Sequence, residues 1–282
     1  MTDQPLRILY ETAVVGTRMN NKIVLLTLQV LVAVVGITLW HLASTTSLFG
    51  SPKTVAFFFG EPLSVWKRIV EWFSDGSIWY HLWITLAESA LAFLSGALGG
   101  VILGFWFARQ PVVAAVFDPY VKAANALPRV VLAPIFALWF GLGIWSKVAL
   151  GFTLVFFIVF FNVYQGVKEV SPVVLANARM LGANGKQLLR YVYLPSAMSW
   201  VFSSLHTSVG LAFVGSVVGE YLGSARGVGY LILQAEGTFD INTVFAGILV
   251  LTAFALILDA IVGVGERHLM KWQPKTGDTE KL

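Results

Sequence analysis

The tract Gly182-Ala183-Asn184-Gly185-Lys186-Gln187 has the glycine and lysine content of a phosphate-binding loop. A working loop of that kind needs a glycine five residues before its Gly-Lys pair, so that backbone amides ring the phosphates. It also needs a hydroxyl directly after the lysine to hold magnesium. Met180 and Gln187 occupy those two positions and no strand-like segment precedes them, which argues against ATP binding by this chain. Nucleophilic and metal chemistry fit no better. Cysteine is absent, the four histidines are scattered, and neither an HExxH nor a GxSxG pattern occurs. The expectation is a chain that makes and breaks no bonds and holds no cofactor or metal.

Chemistry remains possible for ionisable residues inside apolar segments, where each is costly and therefore a functional candidate. Lys122 and Arg129 lie in a hydrophobic region broken by prolines. Two readings stay open: they line a solute pathway and favour an anion, or they sit near an interface or pair with Asp118. Glu220 falls near the outer end of an apolar run, where it would close a gate, touch an external partner or make a helix-end salt bridge. For His206, Glu88 and Asp259 the preferred reading is packing or interhelical hydrogen bonding, with His206 kept as a pathway candidate.

The elements that must position these residues are membrane helices. The 282 residues are 57% hydrophobic and 12% charged, with a mean hydropathy of +0.77. Soluble chains carry roughly a quarter charged residues. About six spans of ~20 residues use up most of the length and leave no room for a soluble catalytic domain. The net charge of +4 is the basic excess expected of cytoplasmic loops rather than a nucleic-acid footprint.

Residues 1–22 read as a polar cytoplasmic tail and 23–43 as a first span, too long for a cleaved signal. Residues 44–80 read as an external segment with an interfacial amphipathic helix, because Val65, Ile69, Trp72 and Phe73 recur at helical spacing. A transmembrane core over 81–266 and a cytoplasmic tail over 267–282 complete the chain. Within the core the spans fall near 82–108, 112–141, 147–167, 196–222 and 241–264. The 112–141 region is broken by Asp118-Pro119, Pro128-Arg129 and Pro134, as in segments that line cavities. Gly96, Gly100 and Gly104, and again Gly215, Gly219 and Gly223, form small faces that let helices approach closely. Asp240 and Asn242 are expected to cap the last span.

With the N-terminus inside, twelve lysines and arginines fall on the cytoplasmic side (Arg7, Arg18, Lys22, Arg109, Lys168, Arg179, Lys186, Arg190, Arg267, Lys271, Lys275, Lys281). Five fall outside (Lys53, Lys67, Arg68, Lys147, Arg226). The excess places both termini in the cytoplasm.

One interior stretch is distinctly polar: the cytoplasmic loop 168–195. Ser171-Pro172 opens a short helix ending near Leu181, Gly182 closes it in a left-handed C′ conformation, and a second short helix follows to Tyr193. Leu194-Pro195 is expected to break that helix where the fifth span begins. The sequence Ala176-Asn177-Ala178-Arg179-Met180-Leu181-Gly182, nine residues, then Val192-Tyr193-Leu194-Pro195 resembles the EAA loop of ABC importer permeases. Ala176 stands where that family has Glu and Asn177 where it often has Ala; Ala178, Gly182 and Leu194-Pro195 match. Leu138–Gly143, Val218–Leu222, Gly227–Ile232 and Val244–Leu249 extend the resemblance to about 81–272, within the nitrate, sulfonate and taurine branch.

The resemblance implies an all-α membrane protein of the type I importer fold, working by alternating access as the permease subunit of an ATP-driven importer of a small solute; nitrate, sulfonates, taurine, bicarbonate and pyrimidine precursors stay open, and Lys122 and Arg129 favour an anion among them. It implies a separate cytoplasmic ATPase carrying ATP-Mg, an external solute-binding protein, a homodimer of permeases, and location in the inner membrane. The loop carrying Ala176, Asn177, Ala178, Arg179, Gly182, Leu194 and Pro195 would be the coupling element, with Arg179 replacing the missing acid as a polar contact. The competing reading, an ATP-independent carrier or channel, requires paired broken helices in two repeated halves, and only one broken region is present.

Overall fold

The structure is a computed structural model that describes residues 4–46 and 50–269; the last thirteen residues of the C-terminal tail lie outside the described part. Contacts divide the chain into two units, 1–68 and 69–282. All described elements are helical.

In the first unit, α1 (Gln4–Thr45) carries the apolar stretch Ile23–Thr45, long enough to cross a bilayer. The polar segment assigned to a tail thus joins the same helix. A short helix α2 (Pro52–Phe59) follows, and the Trp40 indole of α1 donates to the Phe59 carbonyl at 3.0 Å. The amphipathic helix expected around Val65–Phe73 is α3 (Pro62–Ser74).

The second unit is built on α4 (Ser77–Arg109), α7 (Ile144–Lys168) and α10 (Leu194–Gly223), with α12 (Ile241–Leu269) outside them. Between α4 and α7 lie α5 (Pro111–Ala126) and α6 (Ala133–Phe140), joined through a single 3₁₀ turn at Arg129–Leu132. The chain turns through 86° there. Its cause is local: Leu127 precedes Pro128 and is held at ψ 134°, outside the helical region the proline ring disfavours. Five stretches are long and apolar enough to cross a membrane, and the bent pair brings the number to six if it crosses as one span. A helix absent from the expectations, α11 (Val228–Gly237), lies between α10 and α12. Asp240 caps α12, accepting the Thr243 amide at 3.1 Å and the Thr243 hydroxyl at 2.6 Å.

Glycines set how closely the central helices cross. A methyl group on Gly96 would lie 2.7 Å from Val155 Cβ, on Gly100 2.8 Å from Val159 Cβ, and on Gly104 2.6 Å from the Phe160 carbonyl. Gly151 of α7 would meet Ala92 of α4 at 2.6 Å, and Gly215 of α10 would meet Gly151 itself at 2.6 Å. Backbone contact of this kind maximises dispersion, which matters where lipid removes most of the hydrophobic drive. Ala92, Val155, Val159, Val163 and Ala212 fill the seam.

Candidate functional site

The polar bracket runs between α7 and α10. Its first helix, α8 (Pro172–Met180), starts after Ser171 in extended backbone with proline at the first turn; the Ser171 side chain itself makes no capping bond. Gly182 adopts φ +82°, and the Gly182 and Ala183 amides donate to the Arg179 and Ala178 carbonyls at 2.9 and 3.0 Å. That pair of bonds is the Schellman closure anticipated from the glycine. Asn184 then caps α9 (Gly185–Leu188): its Oδ1 accepts the Gln187 amide at 2.9 Å while Gln187 Oε1 accepts the Asn184 amide at 2.8 Å. The Asn-Gly-Lys-Gln tract is thus a capping box, which explains its composition without phosphate.

The expected break at Leu194-Pro195 does not occur. Residues Leu189–Tyr193 form a π turn that runs straight into α10, and the Leu194 amide donates to the Leu189 carbonyl five residues back. Pro195 has no amide to donate and its ring crowds the carbonyl four residues before it. Widening the turn by one residue removes both problems and leaves the helix continuous. Below the bracket, a methyl group on Gly166 of α7 would come within 2.9 Å of Trp200 Cβ on α10, so the two supporting helices touch. Tyr193 packs edge-on against Phe105 and under Arg109, both on α4. The bracket is thereby tied to all three central helices. At its tip Met180 and Leu181 are 81% and 89% exposed, and Ala176, Asn177 and Arg179 are exposed beside them.

A second polar group lies at the opposite ends of the same helices. Glu220, Glu88 and Lys147 are all essentially buried. Lys147, at the start of the expected fourth span, is turned inward, and its ammonium donates to the carbonyls of Leu142 (2.6 Å), Gly143 (3.1 Å) and Gly223 (2.7 Å). All three of its protons are used. Glu220 does not form the expected helix-end salt bridge as its direct contact. It accepts the Thr85 hydroxyl at 2.6 Å and the Gly229 amide at 2.7 Å, with Lys147 near enough to act electrostatically. Three successive amides at the start of α11 end on side chains of α4 and α10: Gly227 on His81 Nδ1, Val228 on Thr85 Oγ1 and Gly229 on Glu220. The anionic end of Glu220 thus faces the positive end of α11. Gly227 is at φ +97°, and a methyl group there would sit 2.1 Å from the Glu220 carboxyl.

The remaining candidates are dispersed. Lys122 pairs with Asp118 at 2.6 Å one turn away on α5, with both largely exposed. Arg129 bonds Asn125 and lies over the Phe157 ring at 5.3 Å. His206 of α10 reaches Asp259 of α12 at 3.4 Å, a contact between two helices for which no pairing was expected. Among the described residues no cluster of metal ligands occurs.

Apolar crossing helices, one broken span and an exposed helix-turn-helix bracket describe a multi-pass membrane transport subunit. The chain belongs to the family described as the binding-protein-dependent transport system inner membrane component, whose pattern matches residues 96–271. It is 32% identical over 212 residues to the aliphatic sulfonates transport permease protein of Bacillus subtilis, covering 75% of this chain and 77% of that one. It is 28% identical over 251 residues to the taurine transport system permease protein of Escherichia coli, covering 87% and 90%. It is 32% identical over 218 residues to the riboflavin transport system permease protein of Chloroflexus aurantiacus, covering 77% and 81%. Its fold is similar to a chain of an amino acid ABC transporter, with TM-score 0.58 and 17% identity over 71% of this chain and 98% of that one. A chain of the MetNI methionine ABC transporter in an inward-facing conformation gives 0.57 and 17%, covering 66% and 93%. The chain is therefore a permease subunit of an ABC importer and not an enzyme; ATP hydrolysis resides in a separate subunit. Family membership implies that ATPase and a solute-binding protein as partners.

Proposed function

We propose that this chain forms the pathway of an ATP-driven importer for a small sulfonate-type anion, and that the bracket around Gly182 receives the thrust of the ATPase. The observation that carries the coupling role is mechanical: a two-helix bracket, closed by its own backbone bonds, is continuous with α10 through the π turn and braced on α4 through Tyr193. Force applied to Met180 and Leu181 is transmitted along helices rather than lost in a flexible loop. The bracket faces the cytoplasm with both termini, as the distribution of Lys and Arg supports. Two copies of the chain enclose the pathway, past Lys122, Arg129 and His206; Glu220, fully buried against Thr85 and Gly229, holds the helices together instead. Two relatives named for sulfonate and taurine transport support the solute class; a third, named for riboflavin, marks how widely solutes vary among these relatives. The chain binds no cofactor, and ATP-Mg sits on the partner.

The natural protein has no cysteine, so Leu181→Cys introduces a unique thiol. In membranes containing the cognate ATPase, a short bifunctional cross-linker at that thiol should capture the ATPase, with the yield changing when ATP is trapped. Capture absent at Leu181→Cys yet present at an equally exposed site on α5 would refute the docking assignment.

A further inference from the structure

Glu88 of α4 is 2% exposed, and its carboxyl is hydrogen-bonded to the carboxyl of Glu220 on α10. Two carboxylates can only accept, so a bond between them requires a proton on one. The neighbours decide which. Glu220 accepts the Thr85 hydroxyl at 2.6 Å and the Gly229 amide at 2.7 Å, as a carboxylate does. Glu88 Oε2 has no such donor among the described residues, so Glu88 is the acid and donates to Glu220.

The charges agree with that assignment. The groups facing Glu88 are Glu220 from α10, Lys147 from α7 and, across a cavity, Arg226 from the turn before α11. His81, two turns earlier on α4, is taken up by the Gly227 amide. One ammonium, one carboxylate and one neutral acid make a buried group without net charge, which is the state that burial favours. A cavity of about 290 Å³, lined by Glu88, Leu142, Gly143, Ser224 and the exposed Arg226, leads to the pair. Water occupies ~30 Å³ in the liquid, so the cavity gives solution protons a route. We infer that Glu88 and Glu220 form a proton-binding site, one proton shared by two carboxyls, which clasps α4 to α10 at the ends of the central helices opposite the bracket. Losing that proton sets two adjacent carboxylates against one ammonium whose three protons are already committed to carbonyls. The clasp therefore loosens as pH rises, whatever solute the permease carries.

The test compares wild type, Glu88→Gln and Glu220→Gln in the purified permease–ATPase complex, with a fluorescent tag on the permease so that size-exclusion chromatography reports its own melting. Glutamine has the shape and the donor of a protonated acid, so E88Q should fold and melt near wild type at neutral pH. E220Q should melt several degrees lower, because it leaves Lys147 without its counter-charge. Infrared difference spectra at neutral pH should show a protonated-carboxyl band in wild type that E88Q lacks. A proton held by the folded protein and released by the unfolded chain shifts the folding equilibrium about tenfold toward unfolding for each pH unit. The melting temperature of wild type relative to E88Q should therefore fall between about pH 6 and pH 9. Absence of the band, failure of E88Q to fold, equal melting of E88Q and E220Q, or a melting difference indifferent to pH overturns the inference. ATP-driven uptake that persists alongside any of these failures removes the proton site while leaving the transport role standing.

Discussion

Thr85 on α4 donates its hydroxyl to the Glu220 carboxylate on α10 at 2.6 Å, with both residues fully buried. The same hydroxyl oxygen accepts the Val228 amide at 3.1 Å, so one side chain joins α4, α10 and α11. Hydrogen bonds to charged groups contribute roughly 1.5–3 kcal/mol each. Thr85→Val keeps the shape and removes both bonds. It should lower the melting temperature of the purified protein by several degrees, whereas Thr85→Ser should restore most of it. An unchanged melting curve for T85V would mean that the cluster does not hold these helices together.

Gly227 is constrained twice, by a positive φ and by the carboxyl that occupies the space a side chain would need. Gly227→Ala should therefore abolish a monodisperse peak in size-exclusion chromatography, while Gly237→Ala, where a methyl group meets nothing within 4 Å, should leave it intact. Similar profiles for the two variants would contradict the cradle geometry.

At the three-helix crossing, Gly151→Leu cannot be accommodated, since even a methyl group would meet Ala92 at 2.6 Å. Overpacking costs on the order of 1–3 kcal/mol for extra methylenes, and a whole side chain against backbone exceeds that. Expression as folded protein should be lost, and partial rescue by Ala92→Gly would identify the contact responsible.

Much of this architecture could be read from residue order, because its causes are local. Gly182 ends α8 through its own φ, Pro128 bends the broken span at Leu127, and glycines four apart mark the α4 seam. What escaped were features created by distant partners. Glu220 finds Thr85 135 positions away, and Lys147 finds the Gly223 carbonyl 76 positions away, neither of which any periodicity announces. Lysine at the start of an apolar run normally faces water, yet backbone carbonyls at the turn before α7 and the end of α10 satisfy Lys147 within the protein. The Gly227-Val228-Gly229 sequence was the available signal, two glycines around one residue where backbone amides must approach side chains. The π turn went unread because proline after leucine usually marks a helix boundary.

Outside the membrane helices, Asp75 accepts the Ser77 amide at 2.8 Å at the start of α4, and that bond holds its carboxyl below the ordinary value of 3.8. A depressed folded value means that the contribution to stability is complete above the ordinary pKa and is lost as pH falls through the folded one. Protection of the Ser77 amide against exchange, relative to the intrinsic rate at each pH, should fall as the pH drops through the folded Asp75 value and should be low at every pH in Asp75→Ala. Protection that does not respond to acid would show the cap to be immaterial.

The role of the bracket is tested most directly by uptake into proteoliposomes holding the permease, its ATPase and its solute-binding protein. Wild type should accumulate solute only with ATP and the ATPase present. Leu181→Asp, 89% exposed and so harmless to folding, should reduce ATP-driven uptake at least tenfold with an unchanged melting temperature. Uptake that proceeds without the ATPase, or that is indifferent to L181D, would contradict ATP-driven transport through this bracket.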